Sequence, residues 1–364
     1  MEKISAKKEP KKDETIIKET FRESDQKATV KRTPISEVGK NALMENLFAG
    51  SDYTNRETTP YAKVATGYLT TSKLMLEGID FDLTYTPPKH LGYKSALLAF
   101  GSIYAGCYNP QGLSYNLALS TRFCVEDVQE FWGGVLAAAK EHKIENLSLE
   151  LNTSMTGFTI GVSAIGWQNT KILKSFPAVD TTCLLCLTGN VGAAYMGLHV
   201  LEREKIAFHK IPAAQAAQYT QPDLSKYKYI LSQYLSPEIN PKTVEQFKEA
   251  KLYPATGYFI TGGLAASVKQ LCTEHHVGAK IYLEKIPIAS QTFAMAEELN
   301  MDAITAALNG GDDYKFLFAI PVAQHERFHK EFPNVDIIGH LCKPQAGASL
   351  ITPEGAAIEI QSLS

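Results

Sequence analysis

Two adjacent carboxylates, Asp312 and Asp313, follow two glycines and precede an apolar run in Asn309–Pro321, NGGDDYKFLFAIP. The glycines free the backbone for a tight turn, and paired carboxylates at such a turn can hold Mg²⁺ or a cationic ligand. A solvated turn uses the same residues, because aspartate is a common turn former. Gly262–Ser267, GGLAAS, is a glycine turn opening a helix, a shape that can offer backbone N–H groups to an anion and is also ordinary turn chemistry. No GxxxxGK[ST] occurs, which excludes a P-loop. Cys183 and Cys186 form a CxxC inside the apolar run TTCLLCLTG. Residues three apart on a strand point to opposite faces, so no redox or zinc site is expected there. His275-His276 reads as a solvated helix end, where imidazole suits the dipole.

The elements that must position these groups follow from apolar periodicity. Strand-like runs fall at Lys73–Phe81, Asn146–Leu151, Phe158–Trp167, Cys183–Leu187, Ala279–Leu283, Tyr314–Ile320 and Val335–Gly339. Helices are expected at Ser95–Tyr104, Val125–His142, Gly192–Lys205, Leu224–Leu235, Pro241–Ala250, Gly263–His276, Ser290–Leu299 and Val322–Phe332. Ile206–Asp223 reads as a polar loop. Two α/β layers around separate cores are the economical arrangement.

Composition narrows the function classes. The 364 residues are 45% hydrophobic and 21% charged, enough for a sizeable core and about two domains. A net charge of -3 gives no electrostatic reason to expect nucleic acid or an anionic membrane. No apolar run reaches the ~18 residues of a membrane span, and the first residues lack the apolar segment of a signal peptide. Six scattered cysteines fit reduced thiols in the cytoplasm. Residues 1–33 carry ten Lys/Arg against seven Asp/Glu with few apolar residues, and read as a disordered tail.

Several blocks, in order, resemble the thiamine-monophosphate kinases. The family's GG-E-D-Y-E-LLF segment is similar to Gly310–Phe318, and LEGIDFDLTY (Leu76–Tyr85), HLGYKSAL (His90–Leu97), GAAYMGLHVLEREK (Gly192–Lys205), GLAASV (Gly263–Val268) and VGAKIYLEKIP (Val277–Pro287) agree with it. The resemblance spans about Thr33–Ile360. It implies an α+β, two-domain PurM-like fold. The N-terminal domain (34–168) would pair into a dimeric β-barrel, and the C-terminal domain (169–364) would form an α/β sandwich. The implied reaction is transfer of the ATP γ-phosphate to thiamine monophosphate, with ATP and Mg²⁺ as the implied cofactors.

Departures from the family pattern concern acids. The region of its GDDAA motif, Tyr61–Thr71, contains none, and its [ST]-T-D reads Thr71-Ser72-Lys73. Its N-x-S-D reads Ala99-Phe100-Gly101-Ser102, and its GGDT reads Ser148-Leu149-Glu150-Leu151. Its G-D-x-G reads Gly189-Asn190-Val191-Gly192, and its D-x-S-D-G-L reads Phe259-Ile260-Thr261-Gly262-Gly263-Leu264. The resemblance thus nominates Lys73, Ser102, Asn190, Thr261, Gly262, Gly310, Gly311, Asp313 and Tyr314 for a ligand pocket. Glu150 and Asp312 are its remnants of a metal site, and no catalytic residue is assigned. Phosphoryl transfer asks a protein for positioning and charge neutralisation, and losing one such group commonly costs ~10²–10³ in rate. An ammonium at Lys73 could occupy the volume of a missing Mg²⁺ and bind an anion, or it could simply face solvent.

Three functions fit these residues. One is a catalytically degenerate relative acting through binding of a small phosphorylated ligand, or through assembly as a homodimer or as a heterodimer with an active paralogue. Another is an active kinase with relocated Mg²⁺ ligands, for which Asp80 and Asp82 lie near the altered motif. The third is a different catalyst in the same scaffold. No nucleic-acid or membrane partner is expected.

Overall fold

The computed structural model describes residues 35–38, 40–50, 67–211 and 223–361. The charged stretch 1–33, residues 61–66 of the acid-free segment and most of the polar loop lie outside the described residues. Two compact units are present, Met1–Asn55 and Arg56–Ser364. The described part of the first is two helices, Ile35–Val38 and Lys40–Phe48.

The second unit holds two sheets. Strands β1 (Tyr68–Leu76), β2 (Asn109–Leu119), β3 (Asn146–Thr153) and β4 (Phe158–Trp167) form the first, in the order β1-β4-β2-β3. All its pairs are antiparallel except β2–β3. Its burial alternates strictly in β4, as period-2 side-chain geometry requires for a sheet covered on one face. The open face carries a row of serines: Ser72, Ser163, Ser114 and Ser148 lie in register, with Oγ–Oγ contacts of 3.2 Å for the first pair and 2.8 Å for the last.

The second sheet is built from β5 (Cys183–Thr188), β6 (Thr256–Ile260), β7 (Gly278–Tyr282), β8 (Lys315–Pro321), β9 (Val335–Cys342), β10 (Ala348–Ile351) and β11 (Ala357–Glu359). Its order is β11-β10-β7-β9-β5-β8-β6. Both faces of β5 are packed: Cys183 belongs to one core and Cys186 to another, which is the alternation expected for the CxxC. Burial pushes the Cys186 thiol up to about 12, as suits an inert core cysteine.

Helix Pro88–Ala105 lies between the sheets. Twelve of its 18 residues are buried, because it packs on the first sheet, on helix Val125–Glu141 and on β6. Two of these approaches need glycine: a Cβ at Gly101 would strike the Phe259 ring at 2.0 Å, and one at Gly257 the Ala105 carbonyl at 2.3 Å. The expectation of separate cores is therefore corrected. One core runs from Leu69, Phe100 and Val162 through to Cys186, Phe316 and Phe318.

Most periodic segments form the expected elements, with shifted ends. β1 runs over Tyr68–Leu76 instead of Lys73–Phe81, because Gly78 (φ 80°) turns the chain and the Asp80 carboxylate accepts the Leu76 N–H at 2.7 Å. Strands β2, β6, β10 and β11 and helix Ala303–Asn309 lie outside the periodic runs. Among the described residues no helix is long and apolar enough to cross a membrane.

Candidate functional site

The NGGDDY turn links helix Ala303–Asn309 to β8, and each of its residues has a fixed place. The helix is started by Asp302, whose carboxylate accepts the Thr305 N–H at 2.7 Å, and is closed by Gly310 N–H donating to Ala306 at 2.8 Å. Gly311 (φ 77°), Asp312 (φ 58°) and Tyr314 (φ 54°) are then left-handed. For the non-glycine residues this backbone is unfavourable and persists only where the surroundings enforce it. Here they do: Asp312 N–H donates to the Thr261 carbonyl at 2.8 Å and Tyr314 N–H to that of Ile260 at 3.0 Å. A Cβ at Gly311 would lie 2.5 Å from the Thr261 carbonyl oxygen.

Asp313 is 3% exposed. Its Oδ1 accepts the Gly192 N–H at 2.7 Å, at the start of helix Ala193–His209, while its Oδ2 is buried with no protein partner. Burial pushes this carboxyl up to about 8, although the Gly192 N–H and the nearby Lys315 charge act in the opposite direction. Tyr314 is 1% exposed and packs edge-on against Phe259. It forms a wall, with its hydroxyl 3.5 Å from the Lys94 carbonyl.

Lys94, which sequence reasoning missed, is the buried cation of this site. It is carried on the inter-sheet helix, is 4% exposed, and places its Nζ 2.9 Å from Asp312 Oδ2 and 3.9 Å from the Tyr234 ring centre. A buried ammonium needs such a partner and gains from the ring's negative face. The two residues are 218 positions apart, so no spacing could announce the pair.

The fold brings part of the nominated set together. Gly310, Gly311, Asp312, Asp313 and Tyr314 meet Thr261 and Gly262 at the end of β6, and Gly192 at the next helix start. Asn190 lies two residues before Gly192 and donates weakly to the Tyr229 hydroxyl at 3.4 Å. Lys73 is half-buried opposite Val162, on the helix-covered side of β1 with Thr71 and Met75, and not on the open face. Ser102 sits on the inter-sheet helix, one turn after Ala99, whose carbonyl accepts the Thr71 hydroxyl at 2.7 Å. Glu150 is exposed on β3 opposite Asn116, on the open face, which separates it from Asp312 behind the sheet. Among the described residues no three His, Cys, Asp or Glu side chains are grouped to hold a metal ion.

Asp80 and Asp82 are committed elsewhere. Asp80 caps the β1 turn. Asp82 accepts the Thr84 N–H at 2.7 Å and pairs with Lys205 at 2.7 Å. Burial opposes its ionisation, but the bonds from Lys205 and Thr84 hold its carboxyl down at about 2.

No family model matches the sequence. Among curated proteins the chain is similar to the thiamine-monophosphate kinase of Synechococcus elongatus, 26% identical over 251 residues, which cover 68% of this chain and 71% of that one. Its fold is similar to the crystal structure of thiamine monophosphate kinase from Aquifex aeolicus, with a TM-score of 0.72, 21% identity, and coverage of 90% of this chain and 100% of that one. AaThiL complexed with AMPPCP and TMP gives a TM-score of 0.72 at 22% identity, over 91% and 98% of the two chains.

Proposed function

Because the chain belongs to the thiamine-monophosphate kinase family, with its PurM-like fold, we propose that it keeps that scaffold as a ligand-binding protein without metal-borne phosphoryl transfer. The observation that carries this reading is the donor set. Asp312, the best-placed carboxylate, is taken by Lys94, and Asp313 is buried with Oδ1 on the Gly192 N–H, where burial raises its carboxyl above the usual carboxylate range. Mg²⁺ needs oxygen ligands in near-octahedral order, commonly one or two free carboxylates. The described residues do not fit that ion. The ligand expected at the Gly310–Tyr314 turn is a small phosphorylated molecule, as the relative complexed with AMPPCP and TMP suggests.

Calorimetric titration with ATP, with and without Mg²⁺, followed by an assay for thiamine diphosphate, tests this directly. The expected result is no Mg²⁺-dependent gain in ATP affinity and no thiamine diphosphate. Metal-dependent binding with turnover would establish the second reading, an active kinase with relocated ligands. The kinase names of its relatives favour that reading, and the engagement of Asp80 and Asp82 weighs against it.

A second copy is proposed to pair on the open face of the first sheet, in the manner of a closed barrel. Leu74 is 62% exposed there and Trp167 41%, beside Tyr68 and Ile165. Leu74→Glu is expected to convert a dimer to a monomer in light scattering; an unchanged mass would remove this interface. Co-expression with an active family member distinguishes a heterodimer from a homodimer. The division into 34–168 and 169–364, and a cytoplasmic location, belong to the same proposal.

A further inference from the structure

Beside β8 and helix Thr243–Ala250 there is a cavity of about 710 Å³. Four phenylalanines, Phe247, Phe316, Phe318 and Phe332, contribute to its lining, with Phe247 edge-on to Phe318 at 5.2 Å. The same lining includes Lys315 and Thr188. Lys315 is the residue in need of an explanation. Its stem runs over Gly189, where a Cβ would meet Lys315 Cδ and Cε at 3.5 Å. Burial lowers the pKa of its ammonium, opposed by the charges of Asp313 and Glu238. Neither carboxylate comes within ion-pair distance of Nζ, and among the described residues none of the hydrogen bonds or ion pairs found involves that nitrogen. A partly desolvated ammonium in this state lacks an acceptor, and that costs free energy until one arrives. Thr188 is the complementary case: its Oγ1 already accepts the Phe316 N–H at 2.8 Å, which leaves its hydroxyl proton to donate.

The cavity also holds three carboxylates, Glu141, Glu238 and Glu331, and they must be weighed. All three are exposed, and Glu141 accepts the Tyr93 hydroxyl at 2.7 Å. Exposed charges are screened by water, whereas the half-buried Lys315 is screened less. The inner chemistry is therefore a cation and a hydroxyl donor among aromatic rings.

We propose that this cavity is a site for a small aromatic oxyanion, with its ring against the phenylalanines and its anionic group on Lys315 Nζ and the Thr188 hydroxyl. The cavity adjoins the turn proposed above through Tyr314, and it needs neither nucleotide nor metal; loss of binding on Lys315→Met separates it from a ligand held by the turn alone.

Calorimetric titration of the full chain with phenyl phosphate in EDTA tests it, with benzylamine and inorganic phosphate as comparison probes. Phenyl phosphate is expected to bind more tightly than either. Lys315→Met should weaken it about tenfold or more, the worth of one charge-assisted hydrogen bond, and Lys315→Arg should restore most of the loss. Thermal melts of both variants check that they fold. If the Met variant does not fold, protection of Lys315 from limited acetylation by phenyl phosphate in the native chain decides the matter. Unchanged affinity in a folded Met variant, tighter binding of benzylamine, inorganic phosphate binding as well as phenyl phosphate, or no protection would each overturn the proposal.

Discussion

The NGGDDY turn and the open face of the first sheet belong to the same resemblance, yet they are held in opposite ways. In the turn, Asp312, Asp313 and Tyr314 are each tied to another element by backbone or side chain and Gly311 lies close against the Thr261 carbonyl, with three left-handed residues in four. On the sheet face, Ser72 meets Ser163 and Ser114 meets Ser148 through their hydroxyls, and the strand geometry would survive other small side chains. Residues that carry packing keep their identity, whereas residues that only face a ligand can drift once that ligand no longer constrains them. The packed turn matches the family segment, whereas Lys73, Ser102, Asn190, Phe259 and Gly262 stand where the family pattern has acids.

The most severe way to break this contrast is Gly311→Ala. A Cβ 2.5 Å from the Thr261 carbonyl, on a backbone with φ 77°, adds strain to overpacking. The expected loss is about 4 kcal/mol in denaturant unfolding; a loss below about 1 kcal/mol would mean the turn is not rigid. The helical layer between the two regions offers a pH test. His142 is 4% exposed, bonds the Tyr104 hydroxyl at 2.8 Å, and is held by burial at a pKa of about 4. As pH falls below 6.5 the unfolded chain takes up a proton that folded His142 refuses. Stability is thus fully present above pH 6.5 and falls by about 3 kcal/mol on the way to pH 4. His142→Gln should flatten that slope.

Lys94→Met comes next. It leaves Asp312 without its cation, but that carboxylate is 35% exposed, so the cost is discounted to about 2 kcal/mol. A double-mutant cycle with Asp312→Asn should return most of it as coupling energy. Asp313→Ala is expected to cost about 1–2 kcal/mol by orphaning the Gly192 N–H. Asp313→Asn keeps the acceptor and should be nearly neutral at pH 7. At the small end, Ser163→Ala on the open face should change stability by less than about 0.5 kcal/mol. A larger change would show that the serine row is structural and would dissolve the contrast.

Legibility in the sequence followed the same division. Strongly periodic segments such as Phe158–Trp167 and Ser290–Leu299 were readable to the residue. β2 was not, although it pairs with both β3 and β4, because Pro110 and Gly112 flank a register shift and mask the alternation of Leu113, Tyr115 and Leu117. Helix Ala303–Asn309 is short and alanine-rich, and only its Asp302 cap marks it. The turn was legible because its chemistry is local. Lys94, its long-range partner, and the phenylalanine cavity around Lys315 were not, because both are assembled from segments far apart in the chain.

The close seating of Gly101 against Phe259, and of Gly257 against Ala105, has a mechanical consequence. The two sheets are joined through a helix whose contacts admit no extra methyl group, above a hydrophobic core common to both. Opening a hinge between them would expose that core, so the joint behaves as a weld. Any shape change on ligand capture must then be confined to the loops and helix starts at its rim, over displacements of a side chain and not of a domain.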